Sequence, residues 1–315
     1  MAFAFVFPGQ GSQSVGMLDA WGDHPVVAET LKEASEALGE DVARLIHEGP
    51  KEALALTTNT QPVMLVAGVA AWRVWRAEGG AAPAAVAGHS LGEYAALVAS
   101  GVLTLAQAAP LVRFRAQAMQ EAVPVGAGAM AAILGMPADR VREGCAEAQA
   151  TFGADSGEVV EAVNFNDPAQ TVIAGSKAAV EKACEVLKAH GAKRALPLPV
   201  SAPFHSSLMK PAAERLKDKL ATTVFEAPQI PVLNNIDVAI EADGDRIRDA
   251  LYRQAFGPVR WVECVQALKA LGVGTVVECG PGKVLAGMVK RIDGELASAA
   301  LYDPATLTEV QALLA

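Results

Sequence analysis

The pentapeptide Gly88-His89-Ser90-Leu91-Gly92 is the feature that most constrains the fold. A short apolar run at residues 84–87 precedes it, and a small-residue helical pattern follows it and stops near Gly101. A G-x-S-x-G motif between a strand and a helix is typical of a nucleophile elbow, which lifts a serine hydroxyl out at the end of a sheet. The sharp turn favours glycine on both sides, because larger side chains would clash. The sequence therefore predicts an α/β fold, with Ser90 as a candidate for covalent catalysis.

Composition places the chain among acidic globular proteins. It has 315 residues, 52% of them hydrophobic, and a net charge of −9, so it has no general electrostatic attraction to nucleic acid or to an anionic membrane. No stretch is long and apolar enough for a membrane span, and the first residues lack the basic region of a signal peptide. We therefore expect a cytoplasmic protein. The spacing of the four cysteines suggests neither a disulfide framework nor a metal site: Cys145, Cys184, Cys264 and Cys279.

Hydrophobic periodicity predicts a large lobe around a mostly parallel sheet. The continuous apolar run Ala2–Phe7 ends at Pro8-Gly9 and is typical of a buried parallel strand. A second strong strand, at 275–278, precedes Cys279-Gly280-Pro281-Gly282 and a helix. The remaining elements predicted for this lobe are a strand at 230–234 and helices at 25–38, 41–47, 60–78, 103–122, 206–222, 245–255, 259–271 and 304–315.

The pattern changes after Pro124-Val125-Gly126. Strands are predicted at 129–135, 159–164, 170–174 and 193–200, with helices at 137–150 and 177–190. The order βαββαβ is that of the ferredoxin-like split unit. We therefore expect residues 127–199 to form a small subdomain inserted into a large one, which residues 1–126 and 200–315 would build.

A serine nucleophile needs a base, and chance alone produces on the order of 0.1 such elbow motifs in a chain of this composition. His205 is the best placed candidate, since it follows Ser201-Ala202-Pro203-Phe204, where a strand is predicted to end and a helix to begin. A purely structural role for this turn histidine is equally open. His89 lies beside Ser90 in the elbow, so its geometry is wrong for that hydroxyl. The other histidines lie among polar residues near helix ends and are expected to be solvated: His24, His47 and His190.

Two glycine-rich loops follow predicted strands. The first, at residues 7–13, fails as a dinucleotide fingerprint because Ser14 stands where the third glycine should be. Its other possible use is an oxyanion hole, with one N–H from Gln10 and one from Leu91, the residue after the candidate nucleophile. The second, at residues 280–283, fails as a phosphate-binding P-loop because Val284 replaces the serine or threonine.

Arg115 lies on the apolar face of the helix that follows the elbow helix, while Arg113 points elsewhere. A buried guanidinium needs a partner. That partner is either a structural carboxylate or a carboxylate on the substrate, held by a bidentate pair. The sequence leaves both possibilities open.

Six blocks together identify a family. The chain resembles the malonyl-CoA:acyl-carrier-protein transacylases of bacterial type II fatty acid synthesis, over essentially its whole length. Six blocks in the expected order are far more specific than any one of them. They are residues 7–13, residues 88–94, Arg115 with residues 119–122, residues 163–166, residues 203–205 with 208–211, and residues 280–283.

The resemblance implies an α/β-hydrolase-like large subdomain with a parallel sheet, a ferredoxin-like small subdomain, and a site between them. By carry-over, Ser90 is the nucleophile and His205 the general base and acid, with Gln10 and Leu91 supplying the oxyanion N–H groups. Arg115 would bind the malonyl carboxylate. The backbone carbonyl of Gln254 would orient the histidine, in place of a triad acid. Further residues implied for the substrate pocket are Gln61, Met119, Asn164 and Phe204.

The implied reaction is ping-pong transfer of malonyl from malonyl-CoA to the phosphopantetheine thiol of acyl carrier protein, with no metal or redox cofactor. A bulky Phe204 before His205 favours malonyl over methylmalonyl by the same resemblance. Acyl carrier protein is acidic, so docking needs a local basic patch. Lys290 and Arg291 are one candidate, and Lys188, Lys193 and Arg194 are another, although each could be an ordinary solvated face. We expect a monomer.

Three alternatives stay open. A serine esterase or thioesterase shares the elbow and the histidine, but does not explain a buried arginine. A non-enzymatic carrier-binding scaffold would not need a Ser–His pair. An acyltransferase that serves a polyketide pathway would share every motif, although the absence of a linker before the first strand favours a free-standing enzyme.

Overall fold

The computed structural model describes residues 2–153, 155–200 and 202–315, so Ser201, named above in the turn before His205, lies outside the described residues. The strands are β1 (Ala2–Phe7), β2 (Ala85–Gly88), β3 (Gly128–Leu134), β4 (Val160–Asp167), β5 (Gln170–Ser176), β6 (Arg194–Pro197), β7 (Val232–Leu233), β8 (Val273–Cys279) and β9 (Ala297–Leu301). The helices are α1 (Pro25–Leu38), α2 (Val42–Glu48), α3 (Lys51–Ala55), α4 (Thr57–Ala77), α5 (Gly92–Ala99), α6 (Leu105–Glu121), α7 (Ala138–Ala150), α8 (Lys177–Ala189), α9 (Lys210–Ala221), α10 (Gly244–Gln254), α11 (Trp261–Ala270), α12 (Val284–Ile292) and α13 (Pro304–Leu314).

The large sheet is parallel and has the order β7-β2-β1-β8-β9. Its central strand β1 is buried at five of its six residues, which is why it is apolar throughout. The aromatic rings of β1 pack edge to face on α4: Phe5 lies 5.7 Å from Trp72 and 5.4 Å from Trp75, between ring centroids. Because β1, β2 and β8 run parallel, their carboxyl ends lie at one edge of the sheet, where the elbow turn begins.

The second sheet is antiparallel, in the order β4-β5-β3-β6, with α7 and α8 as its helices. This is the strand order of a ferredoxin-like βαββαβ unit, and it has an apolar core of its own. The predicted α/β class, with a parallel sheet and a separate ferredoxin-like unit, is confirmed. The subdomain boundaries at 126/127 and 199/200 stay predictions.

Several element predictions are corrected. The strand predicted at 193–200 is only Arg194–Pro197, and the strand predicted at 230–234 is only Val232–Leu233. The helix predicted at 206–222 begins as a 3-10 turn at Ser207–Met209 before α9. Strand β9 and the short helix α3 were not predicted. The β9 sequence Ala-Ser-Ala-Ala-Leu has little strand propensity, and pairing with β8 decides its conformation.

Strand β4 joins the small sheet to the large lobe. The Phe165 amide donates to the Val259 carbonyl at 3.0 Å, and the Val259 amide donates to the Val163 carbonyl at 2.8 Å. Val259 lies just before α11 of the large lobe. One end of β4 therefore lies beside the elbow, and a cleft forms between the two sheets.

Candidate active site

Ser90 occupies a strained turn between β2 and α5. Its φ of 53° is in the left-handed region, which non-glycine residues rarely adopt. A Cβ on Gly88 would lie 1.9 Å from the Gly92 carbonyl carbon, and one on Gly92 would lie 2.1 Å from the Phe7 carbonyl oxygen. Both flanking positions therefore require glycine, and the turn projects the Ser90 hydroxyl into the cleft.

His205 faces this hydroxyl from the loop after β6. Its Nε2 lies 2.7 Å from Ser90 Oγ, and its Nδ1 donates to the Gln254 carbonyl at 2.9 Å and to the Gly257 carbonyl at 3.2 Å. Because both Nδ1 partners are carbonyl oxygens, the proton of the neutral ring lies on Nδ1 and Nε2 is free to accept. Burial, reinforced by the Arg115 charge, lowers the pKa of His205 to about 3. The ring is therefore a neutral base in contact with the serine.

Gln10 and Leu91 line the same cavity as Ser90, which has a volume of about 420 Å³. Leu91 directly follows the serine, and Gln10 lies in the loop after β1. Within the described part of the chain, the backbone amide of neither residue donates to a protein acceptor. The Gln10 side chain accepts from Thr57 Oγ1 at 2.7 Å, which anchors its loop on α4. The two N–H groups are therefore available to an oxyanion.

Arg115 also lines this cavity, and its exposed fraction is only 2%. Its Nη1 donates to Gln61 Oε1 at 2.5 Å, and its Nη2 donates to Ser90 Oγ and to Gln254 Oε1, both at 3.1 Å. Its guanidinium also lies 5.6 Å from the centroid of the Tyr94 ring. No described carboxylate lies within ion-pair distance of it. Of the two partners left open by the sequence, a directly bonded structural carboxylate is therefore absent from the described residues.

The other pocket residues implied by the resemblance also line this cavity. Met119 and Phe204 supply apolar wall, and Asn164 projects from β4 of the small sheet. The Asn164 Oδ1 atom is buried and has no hydrogen-bond partner among the described residues. An unpaired buried carbonyl is costly unless a bound molecule satisfies it, so the cavity is polar at this wall.

His205 also borders a second, more open groove of about 1060 Å³, between α7 of the small sheet and the segment after α10. Its lining includes Arg142, Phe256 and Pro258. The larger volume does not make it the reactive site, because Ser90 and Arg115 line only the smaller cavity. His205 thus lies between the two spaces.

Asn235 and Glu93 belong to the site but were missed in the sequence. Asn235 accepts from the Ser90 amide through Oδ1 and donates through Nδ2 to the Gly88 carbonyl, both at 2.7 Å. Glu93 Oε2 accepts from the Asn235 amide and from Gln254 Nε2, both at 2.9 Å. The polar pair Asn234-Asn235 at the end of the predicted 230–234 strand, and one acid in an otherwise small and apolar elbow helix, are the signals that could have revealed them.

The remaining histidines do not reach the hydroxyl. His89 turns away from Ser90, and its Nε2 lies 2.8 Å from Asn166 Oδ1 on β4. The other three histidines each contact a surface carboxylate: His24 contacts Glu78, His47 contacts Asp19, and His190 contacts Glu147.

The two predicted docking cations on α12 differ in their surroundings. Lys290 is exposed. Arg291 is half-exposed, and its Nε donates at 2.7 Å to Asp167, a buried carboxylate at the end of β4. Arg291 therefore links α12 of the large lobe to β4 of the small sheet. The alternative cations Lys188, Lys193 and Arg194 are exposed on the small lobe.

The α/β fold, the elbow serine with its histidine and the two open amides together define an enzyme of the acyl-transfer class. Residues 4–303 match the family described as "Acyl transferase domain". The "Malonyl CoA-acyl carrier protein transacylase" of Escherichia coli (strain K12) is 54% identical to this chain, and the match covers 97% of each protein. The chain belongs to the family of malonyl-CoA:acyl-carrier-protein transacylases, as the sequence motifs predict.

Solved structures agree. The acyl-carrier-protein S-malonyltransferase of Burkholderia pseudomallei 1710b is 65% identical with a TM-score of 0.95, and the match covers 98% of this chain and 99% of that one. A malonyl-transacylase solved in complex with a type II PKS acyl-carrier protein is 51% identical with a TM-score of 0.94, over 98% of each chain. In the described ranges, no helix is long and apolar enough to cross a membrane, and no group of three or more acidic, histidine or cysteine side chains could hold a metal.

Proposed function

We propose that the protein transfers a malonyl group from malonyl-CoA to the phosphopantetheine thiol of acyl carrier protein, through a malonyl ester on Ser90, for fatty acid synthesis. One observation carries this proposal: Ser90 Oγ lies 2.7 Å from His205 Nε2 and 3.1 Å from Arg115 Nη2. The first neighbour can accept the serine proton. The second is a buried cation placed to bind a carboxylate on the acyl group.

In the first half-reaction, Ser90 Oγ attacks the thioester carbonyl while its proton moves to His205 Nε2. The negative charge on the carbonyl oxygen is stabilised by the amides of Gln10 and Leu91, each worth roughly 3–4 kcal/mol in the transition state. The intermediate then breaks its carbon–sulfur bond, and the coenzyme A thiolate takes the proton from His205. The products are malonyl-Ser90 and coenzyme A.

In the second half-reaction, the carrier-protein thiol gives its proton to His205 and its sulfur attacks the ester carbonyl. The oxyanion again lies at the amides of Gln10 and Leu91. Collapse returns the proton from His205 to Ser90 Oγ and leaves a malonyl thioester on the carrier. One thioester is exchanged for another, so the sequence of steps needs no metal and no redox cofactor.

The acyl pocket is proposed to select a carboxylate of limited size. The malonyl carboxylate would replace Ser90 Oγ as an acceptor of the Arg115 N–H groups, which orients the acyl carbonyl toward the serine. Gln61, Met119 and Asn164 line the remaining space. Phe204 fills the wall beside His205, where a methylmalonyl branch would need room, so the variant Phe204→Ser should accept methylmalonyl-CoA better than the wild type does.

Intact-mass spectrometry tests the activity directly. The protein is mixed with malonyl-, methylmalonyl- or acetyl-CoA, and holo acyl carrier protein is added afterwards. We expect a stable malonyl adduct on Ser90 that disappears when the carrier is added, and no adduct on Ser90→Ala. Labelling of Ser90→Ala would contradict the covalent step, and rapid loss of the adduct to water without a carrier would instead identify a thioesterase.

A carrier protein of a polyketide pathway is a second candidate acceptor, because one of the similar structures is a complex with such a carrier. Discharge of malonyl-Ser90 by a fatty-acid carrier and by a polyketide carrier, compared at equal concentration, separates the two. A cytoplasmic location and a monomeric state stay predictions.

A further inference from the structure

A buried carboxylate lies at the end of a hydrogen-bond chain that reaches Arg115. Glu93, in the first turn of α5, accepts from Gln254 Nε2 at 2.9 Å. The other end of the same amide, Gln254 Oε1, accepts from Arg115 Nη2 at 3.1 Å. Glu93 and Gln254 are buried at 2% and 0% exposure, so water does not compete for these bonds. The Gln254 side chain therefore bridges an anion and a cation that form no direct ion pair.

Only one orientation of the Gln254 amide suits this place. Its Nε2 faces two acceptors, Glu93 Oε2 and the Ser90 carbonyl at 3.2 Å, and its Oε1 faces the guanidinium, which can only donate. A flipped amide would set oxygen against both acceptors and N–H against N–H. The Glu93 acceptor therefore helps to choose the orientation in which Oε1 meets Arg115.

Glu93 is itself held rigidly. The Asn235 amide donates to the same Oε2 at 2.9 Å, and Asn235 in turn clamps the elbow through Ser90 and Gly88. Burial raises the pKa of Glu93 to about 7, and the bonds from Gln254 and Asn235 together with the Arg115 charge oppose that rise. Retaining a carboxylate here is costly, because an apolar residue of similar size would avoid the desolvation.

We propose that Glu93 is a positioning residue for acyl selectivity: it fixes the Gln254 amide, and that amide holds the Arg115 guanidinium in place for the malonyl carboxylate. The proposal rests on the proposed function, in which Arg115 binds that carboxylate. It assigns the Gln254 side chain a task separate from that of its backbone carbonyl, which orients His205. A malonyl group depends on the position of the guanidinium, whereas an acetyl group does not.

Three variants test the bridge. Glu93→Met removes the acceptor, Gln254→Met removes the amide but keeps the backbone carbonyl, and Glu93→Gln removes the charge but keeps an oxygen that can accept both bonds. For each variant, kcat/KM of Ser90 acylation is measured with malonyl-CoA and with acetyl-CoA, and the ratio of the two is compared. Thermal unfolding is recorded alongside.

We expect the malonyl-to-acetyl ratio to fall about tenfold or more in Glu93→Met and in Gln254→Met. This is the fold-change that corresponds to the loss of one hydrogen bond to a charged group. Glu93→Gln should restore the ratio to within about threefold of the wild type, since the acceptor is retained. Because both residues act through one bridge, the double variant should fall no further than Gln254→Met alone.

Glu278→Met is a matched control. Glu278 is also a fully buried acid whose pKa burial raises to about 7, but it holds the start of α12, accepting from the Ala286 amide at 2.8 Å. It should lower the thermal midpoint and leave the ratio unchanged.

Four results would overturn the proposal: an unchanged ratio in both methionine variants, additive losses in the double variant, a ratio in Glu93→Gln as low as in Glu93→Met, or an equal loss in Glu278→Met. The wild type separates this failure from that of the proposed function. If it forms no malonyl-Ser90, the proposed function is wrong; if it does and the variants keep the ratio, only the role of Glu93 is wrong.

Discussion

The guanidinium of Arg115 donates to the same Ser90 hydroxyl that contacts His205, with Arg115 Nη2 at 3.1 Å and His205 Nε2 at 2.7 Å from that oxygen. The proposed proton acceptor and the proposed carboxylate-binding residue therefore contact the same atom, Ser90 Oγ. Any acyl group bonded to that atom has its first carbons beside the arginine, which limits how long a carboxylate-bearing acyl group can be.

Removal of the arginine should separate malonyl from acetyl transfer. In Arg115→Ala, the activation free energy of acylation by malonyl-CoA should rise by about 2–5 kcal/mol, because a buried charge partner is lost. The kcat/KM for malonyl-CoA should fall accordingly. Acetyl transfer should be retained or improved. Arg113→Ala is the matched control, since Arg113 lies on the same helix but bonds to Asn59 and Glu40. An unchanged malonyl-to-acetyl preference would remove Arg115 from the acyl pocket.

His205 should remain a working base well below the usual histidine range, because burial and the Arg115 charge lower its pKa from 6.5 to about 3. The kcat/KM for acylation by acetyl-CoA reports the free enzyme and should show no acid limb near pH 6.5. A midpoint at that pH would show that the ring is solvated before substrate binds.

The lowered pKa of His205 also makes the free energy of unfolding depend on pH. The unfolded chain protonates this histidine at a higher pH than the folded chain does, so the residue's contribution is complete above pH 6.5 and is lost as the pH falls toward about 3. As the pH is lowered from 6.5 toward about 3, the free energy of unfolding of the wild type should therefore fall relative to that of His205→Asn. The comparison with His205→Asn is needed because Glu93, whose raised pKa is about 7, acts with the opposite sign.

Asn235 should be as important for the elbow as its glycines. Asn235→Ala leaves the Ser90 amide and the Gly88 carbonyl without their partner, at about 1–3 kcal/mol for each buried group. We expect a lower thermal midpoint and a slower acylation. Asn234→Ala is the control: among the described residues, its Oδ1 accepts from the Asp237 amide in the same turn and from no group of the elbow, so acylation of the folded fraction should be unaffected. Equal acylation rates in the two variants would dismiss the clamp.

Gly92→Ala should prevent folding or greatly reduce soluble yield, because the new Cβ would lie 2.1 Å from the Phe7 carbonyl oxygen. The control is Gly294→Ala, where a Cβ would meet nothing within 4 Å. Yield and thermal midpoint of the two variants measure the difference. A well-folded Gly92→Ala protein would mean that the elbow can open.

Lys290 and Arg291 should respond differently to charge reversal. Lys290→Glu should raise the KM for the acidic carrier and leave the thermal midpoint unchanged. Arg291→Glu should also lower the midpoint, because it sets a second carboxylate against the buried Asp167. An unchanged carrier KM in Lys290→Glu would exclude this helix as the docking surface.

The sequence predicts the parts of the fold that repeat a local rule. The elbow, the buried strand β1 and the βαββαβ order follow from spacing, glycine positions and apolar periodicity. Ser90 and His205 could be proposed as partners because each follows a predicted strand. The short strand β9 could not be predicted, because its alanine-rich sequence is decided by its neighbour β8.

The polar network behind the serine lies beyond local rules. Asn235 meets Ser90 across 145 positions and Gln254 meets Glu93 across 161. In each pair, the sequence around one residue does not indicate which distant residue it will contact. The motif resemblance named the Gln254 carbonyl, but the task of its side chain depends on three-dimensional contacts alone.

The attachment of β4 has a consequence for engineering this enzyme. Within four residues, this strand presents Asn164 to the acyl cavity, Asn166 to His89 and Asp167 to Arg291, while the Phe165 amide pairs with Val259. A slip of one residue would bring Phe165 to the cavity and take Asp167 away from Arg291. A chimera that takes its small lobe from another acyltransferase would therefore need residues at positions 164–167 that are compatible with His89, Val259 and Arg291 of the large lobe. Otherwise the small-lobe wall of the pocket would lose its alignment with the serine.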